Sequence, residues 1–258
     1  LDLNLANVSL MLLASASAGL VDAIVGGGGL IIVPSLFGLF PNAVPATLLG
    51  TNKAASIWGT GWAALQYARR VKLPSTRLMG AIVAAMLGGL LGAWLATLIP
   101  ATRFRVALPW VLAAVWAYTL WRKDLGHHHA PHWSARTETL IATAIGGLIG
   151  FYDGVFGPGT GSFFVFALVR LLGWDFLHAS AAAKRLNFAT NVAALAWFIP
   201  HGHVVWALAL PMAVANVAGS AVGTHLALKH GAGFVRLAFL LVVGALILKT
   251  GLDAWELL

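Results

Sequence analysis

The chain has no cysteine and little charge: 8 acidic and 16 basic residues in 258, so charged side chains make up 9%. The missing thiols exclude disulfides, thiolate nucleophiles and thiolate-held metals. The missing charge excludes a soluble fold, whose polar shell needs about 25% charged residues. Hydrophobic residues fill the space instead, at 60% of the chain, with a mean hydropathy of +0.87. They come in long runs: Leu5 to Val25, Leu78 to Ile99, Val106 to Trp121, Leu140 to Phe151, Val204 to Leu228 and Phe234 to Leu248. Several reach the roughly 20 residues that a helix needs to cross a bilayer. None alternates as a barrel strand would. The expected fold class is therefore an all-α polytopic membrane protein.

Leu1 to Ala18 has no basic n-region and flows into further apolar sequence, so a cleaved signal peptide is not expected. The net charge of +8 does not point to nucleic acid. Its basic residues sit in short loops (Arg69, Arg70, Lys72 and Arg77; Arg103 and Arg105; Arg122, Lys123 and Arg136), which is the pattern of membrane topogenesis. Several of the 11 Trp lie near run ends, as expected of interfacial anchors: Trp58, Trp62, Trp110, Trp121, Trp206 and Trp255.

Against this apolar background one pair of charges occurs twice. The interval from Asp22 to Lys53 is the same as the interval from Asp153 to Lys184. Shortly after each Asp comes a glycine-rich break, Gly26-Gly27-Gly28-Gly29 and Gly157-Pro158-Gly159-Thr160-Gly161. One constant offset relates the two sets, and it also lays Gly219 on Gly88, Gly223 on Gly92, Leu226 on Leu95 and Arg236 on Arg105. Asp and Lys occur only six times each, so the match in both is informative. The chain is expected to divide into a first transmembrane repeat (1–122), a charged His-containing linker (123–137) and a second repeat (138–258). Each repeat would hold about four long helices, with the first broken at the glycines. The Arg69–Arg77 loop is basic while its counterpart from Pro200 to Leu208 has only His201 and His203, which favours inverted repeats.

Charges within an apolar phase are expensive and mark pathways or sites. Lys184, Asn187 and Asn191 fall at i, i+3 and i+7 and share one helical face, as do Lys53, Ser56 and Thr60. Asn52 precedes the first lysine. A cation flanked by amides and hydroxyls suits an oxyanion that must shed water. The same groups would also serve as interhelical hydrogen bonds. Glycine breaks free the backbone N–H groups that open the next half-helix, where the helix dipole favours anions. Gly27, Gly28, Gly159 and Thr160 are the candidates there; close helix contact or a hinge is the competing reading. Asp22 and Asp153 would either neutralise the lysines or carry coupling protons. Asp175 reads as an interfacial charge. The cluster His127 to His129 with His132 reads as a solvated loop rather than a metal site, and no metal or cofactor is expected.

The run from Gly19 through Asp22 and Gly26-Gly27-Gly28-Gly29 to Leu30, with Pro34 and Gly50-Thr51-Asn52-Lys53, resembles the sulfite exporter TauE/SafE family of bacterial membrane transporters. So does the second set, Gly150 to Gly154, Phe156 to Ser162 and Ala183-Lys184-Arg185-Leu186-Asn187, which keeps the break as Gly-Pro-Gly-Thr-Gly. The resemblance extends from about Leu10 to Leu248. It implies a multi-pass protein of the bacterial inner membrane that moves sulfite, sulfoacetate or related anions by an ion gradient. The expected partners are a small anionic substrate and the lipid bilayer, with homo-oligomerisation left open. An intramembrane enzyme would need a nucleophile with a base, or clustered ligands. His201, His203 and His225 have no obvious partner of that kind, so no catalytic residue is expected. A metal-cation carrier conflicts with core lysines, and a non-transporting scaffold would have no use for buried charge.

Overall fold

The computed structural model describes residues 3–73, 75–100, 102–104, 110 and 133–255. The apolar run from Val106 to Trp121 (apart from Trp110), Arg105, and the linker charges with His127 to His129 and His132 lie outside them. Among the described residues every regular element is an α-helix. In chain order these are α1 (Leu5–Val25), α2 (Gly29–Leu39), α3 (Pro45–Arg70), α4 (Ser75–Leu98), α5 (Ala135–Val155), α6 (Thr160–Leu172), α7 (Phe176–Phe198) and α8 (Trp206–Trp255). Gly231, with φ 72°, breaks α8. Helix α5 begins inside the segment read as linker, where Ser134 accepts a hydrogen bond from Thr137 N at 3.3 Å and caps it.

Helix starts repeat as the charges do. The offset that carries Asp22 onto Asp153 also lays Gly29, Pro45 and Ser75 on Thr160, Phe176 and Trp206. Asp175, read as an interfacial charge, caps α7, accepting from Leu177 N at 2.8 Å and His178 N at 2.9 Å. Leu5–Val25, Leu78–Leu98 and Trp206–Gly231 are long and apolar enough to cross a membrane. Helices α3 and α7 have the length, at 26 and 23 residues, but carry the lysines and polar stripes on faces buried in the protein. Helices α2 and α6 have 11 and 13 residues. At about 16 and 20 Å they are too short to span alone. Trp58 lies near the middle of α3 and is exposed, so it faces outward away from the helix ends where an anchor was expected. Trp206 does stand at a helix end, opening α8.

Two helix pairs tie the halves together. Helix α1 lies along α8, with Gly19 against Asn216, Gly223 against Leu20, and Ser15 Oγ donating to Met212 O at 2.7 Å. Helix α4 lies along α5, with Ala81 against Gly146, Ala85 against Gly150 and Gly89 against Gly154. In both pairs the residue numbers rise together, so each pair runs in one direction. The offset between the halves carries one pair onto the other, Gly19 with Asn216 falling on Gly150 with Ala85. Thus α4 and the stretch of α8 before Gly231, which the offset lays on each other, are each packed on the first helix of the opposite half. Lipid supplies no hydrophobic drive for such contacts, so they depend on small residues that let backbones approach. The matched glycines, Gly88 with Gly219 and Gly92 with Gly223, are at these crossings.

A Cβ at Gly154 would strike the backbone of Gly89, Gly92 and Ala93, whereas one at Gly38 meets nothing within 4 Å. Gly154→Ala is expected to destabilise by about 1–3 kcal/mol or more through forced separation of the helices. Gly38→Ala is expected to be neutral or to stabilise α2 by up to about 1 kcal/mol. Thermal unfolding in detergent, followed by Trp fluorescence, compares the two; equal losses would contradict the close crossing.

Candidate functional site

The site forms where the two broken helices meet. Helix α1 ends at Val25 because Gly26 takes φ 83°, and its N–H returns to Asp22 O at 2.8 Å. The chain then re-enters a helix at Gly29. In the second half Gly157, with φ 88°, plays the same part after α5. The two breaks touch directly. Gly26 lies backbone to backbone against Gly161, and a side chain on either would collide with the other. Ser162 N donates to Gly26 O at 2.9 Å and Ser162 Oγ to Val25 O at 3.1 Å. The first turn of α6 therefore satisfies the open carbonyls at the end of α1.

The charges pair across the halves. Lys53 of α3 binds the Asp153 carboxylate of α5. Lys184 of α7 binds the main-chain oxygen of Asp22 in α1, with the Asp22 carboxylate at 3.4 Å. Neither lysine is paired with the aspartate of its own half. Both ammonium groups are buried, with side-chain exposures of 2% for Lys53 and 0% for Lys184. Removing either partner would leave an uncompensated charge in a medium of low dielectric. Lys184 also sits at the C-terminal end of α1, where the helix dipole favours a cation.

A small cavity of about 30 Å³ opens beside Lys53, room for on the order of one or two waters. Asp22, Asn52, Lys53, Ser56, Thr60, Asp153, Asn187 and Asn191 line it, together with Gly28, Gly29 and Gly157. Most of the candidates read from the sequence are thus brought together. Thr60 Oγ1 donates to Asp22 Oδ2 at 3.3 Å, and Ser56 Oγ to Asn52 O at 2.9 Å. Asn52 Oδ1 is buried and has no donor.

Four candidates are elsewhere. Lys184 is near the cavity but not on its wall, because Asp22 lies between. Gly27 faces Val21 and Ser162. Gly159 caps α6, and Thr160 Oγ1 donates to Gly157 O at 2.8 Å, inside its own break. Of the two half-helix starts, only that of α2, at Gly28 and Gly29, reaches the cavity, whose polar side chains come mainly from α3 and α7.

One polar lining residue was not expected. Asn216 of α8 is 2% exposed and its amide donates to Ser15 O at 3.0 Å. It is the one amide in the run from Val204 to Leu228, and its counterpart in the first half is Ala85. A search for matches between halves passes over it, although a lone amide in such a run is itself a signal.

The family model described as "Sulfite exporter TauE/SafE" matches residues 11–250. A protein of Sinorhizobium sp named probable membrane transporter protein ORF9 is 38% identical over 96% of this chain and 94% of its own length. Probable membrane transporter protein YfcA of Escherichia coli (strain K12) is 34% identical over 92% of this chain and 87% of its own. A probable membrane transporter protein of Haemophilus influenzae is 31% identical over 92% and 91%. No solved structure is significantly similar. Matched along nearly its whole length, with the broken helices and lysines inside the matched region, this multi-pass membrane protein belongs to the sulfite exporter TauE/SafE family of membrane transporters.

Proposed function

We propose that the protein moves small sulfur oxyanions or organosulfonates, of the sulfite or sulfoacetate kind, across the bacterial inner membrane by alternating access. One observation carries the reading: a buried ammonium, Lys53, faces a cavity walled by amides and hydroxyls together with the Asp22 and Asp153 carboxylates. An oxyanion that enters has a point charge to replace its counter-ion and neutral donors from the Asn187 and Asn191 amides to replace its water. Asn52 contributes its amide beside them. Gly28 and Gly29 present the start of α2, whose dipole has the sign an anion needs. Lys184, Gly27, Gly159 and Thr160 support this wall from behind.

The two repeats, 1–122 and 138–258, are read as inverted. The short connection from Arg70 to Ser75 reverses the chain between α3 and α4. Helix α8 rises with α3, with Gly50 against His203 and Gly59 against Asn216. Helices α1, α3 and α8 then point one way and α4 and α5 the other. The basic end at Arg69, Arg70, Lys72 and Arg77 faces the cytoplasm. Rocking of one interlocked unit against the other exposes the cavity to each side in turn.

Purified protein in proteoliposomes is expected to take up at least one of sulfite, sulfoacetate and thiosulfate. Lys53→Ala is expected to reduce that uptake at least about 30-fold, because loss of a buried charged partner costs roughly 2–5 kcal/mol. Wild-type uptake of none of these, or full uptake by Lys53→Ala, would overturn the reading. Lys53→Met alone is expected to lower stability by about 3–5 kcal/mol by stranding Asp153. Adding Asp153→Asn should restore most of the melting temperature without restoring uptake. A double variant no more stable than the single would show that the pair does not hold the fold.

A further inference from the structure

The two lysines are not equivalent, and the difference bears on what drives transport. Lys184 is committed to the end of α1, on the Asp22 main-chain oxygen, and does not reach the cavity wall. Lys53 holds only a side-chain carboxylate, Asp153, and both residues of that pair line the cavity. One pair closes a helix end. The other stands open to whatever enters.

Charge balance limits what can enter. Lys53, Lys184, Asp22 and Asp153 sum to zero. Around Asp153, helix α3 contributes Lys53, α1 contributes Asp22 and α7 contributes Lys184 behind it. Its own helix adds Tyr152, whose hydroxyl donates to Pro158 O at 2.5 Å. Arg185 of α7 follows Lys184 but is not on the cavity wall. The basic residues of the remaining neighbours, Arg77 of α4 and Arg170 of α6, are at helix ends. Among the described residues, no further cation lines the cavity to balance an added anion. An unpaired charge in so small and buried a cavity is strongly disfavoured.

Resting on the anion-transport reading, we propose that the protein couples each anion to one proton through an exchange at Lys53. The entering anion takes the Lys53 ammonium from Asp153. The Asp153 carboxylate, 2% exposed and deprived of its cation, then binds a proton from solution. Written out, the Lys53 ammonium–Asp153 carboxylate pair plus an anion plus a proton becomes a Lys53 ammonium–anion pair plus a neutral Asp153 carboxylic acid. Charge and protons balance on both sides for a monoanion, and a dianion brings one further negative charge. Release reverses the exchange: Asp153 gives up its proton and recaptures Lys53. The Asp22–Lys184 pair stays closed throughout and acts as a positioning pair.

The experiment loads proteoliposomes with a pH-sensitive dye and follows sulfoacetate uptake, or sulfite uptake if only sulfite moves. Wild-type protein should acidify the lumen with one proton for each anion, and an imposed inward proton gradient should accelerate uptake. Asp153→Asn should carry the anion without that proton, so the difference between the two proteins removes any proton borne by the anion itself. Asp22→Asn should transport more slowly yet keep the ratio of one. Anion uptake by wild type with no proton movement beyond the anion's own would overturn the exchange and leave the transport reading standing. So would an unaltered proton ratio in Asp153→Asn. Should that variant fail to fold, the wild-type ratio alone decides. No uptake of sulfoacetate, sulfite or thiosulfate would overturn both readings.

Discussion

A buried ammonium needs a carboxylate or carbonyl within reach, and in this protein each lysine finds it in the other half of the chain. That crossing is the constraint on which the remaining architecture depends. Lys53 is on α3 and its partner is on α5; Lys184 is on α7 and its partner ends α1. Neither half alone could bury its own lysine with this geometry. The same exchange recurs in the apolar contacts, where α1 lies on α8 and α4 on α5. Charge and shape thus demand the same interlocked assembly, and agreement between levels is what makes a fold specific.

Glycine makes the crossing feasible. A helix end at membrane depth leaves polar backbone groups that lipid cannot satisfy. The two breaks answer each other: Ser162 supplies donors to Val25 and Gly26, and Lys184 covers Asp22 O. Contact between Gly26 and Gly161 leaves no room for a side chain. Because the start of α6 is occupied in this way, only the start of α2 is left to face the cavity. The pseudosymmetry of the sequence therefore yields an unsymmetrical site.

The rare residues were the legible part. Asp22, Lys53, Asp153 and Lys184 stand out in an apolar chain, and the constant offset between the halves locates the helix starts as well as the charges. The polar stripe of α3 and α7 also followed from helical spacing. Pairing did not, since the repeated Asp-to-Lys interval within a half carries no information about contacts between halves. Gly159 and Thr160 looked equivalent to Gly28 and Gly29 because the donors that Ser162 directs to α1 belong to the tertiary structure. Asn216 was missed for the opposite reason: it exists in one half only, and its role comes from the loss of symmetry.

That loss of symmetry has a mechanical consequence. A ligand shifts a conformational equilibrium only by binding its two states differently. An anion that bound both lysines alike would loosen both crossed ties together and disrupt the contact between the breaks. With Lys184 held at the end of α1, only the Lys53–Asp153 tie would answer to the proposed ligand. In the proposed exchange the anion removes the side-chain link between α3 and α5 while the link between α7 and α1 persists. One tie opens and the other serves as the pivot, so the same crossing that stabilises the closed site also selects the motion that opens it.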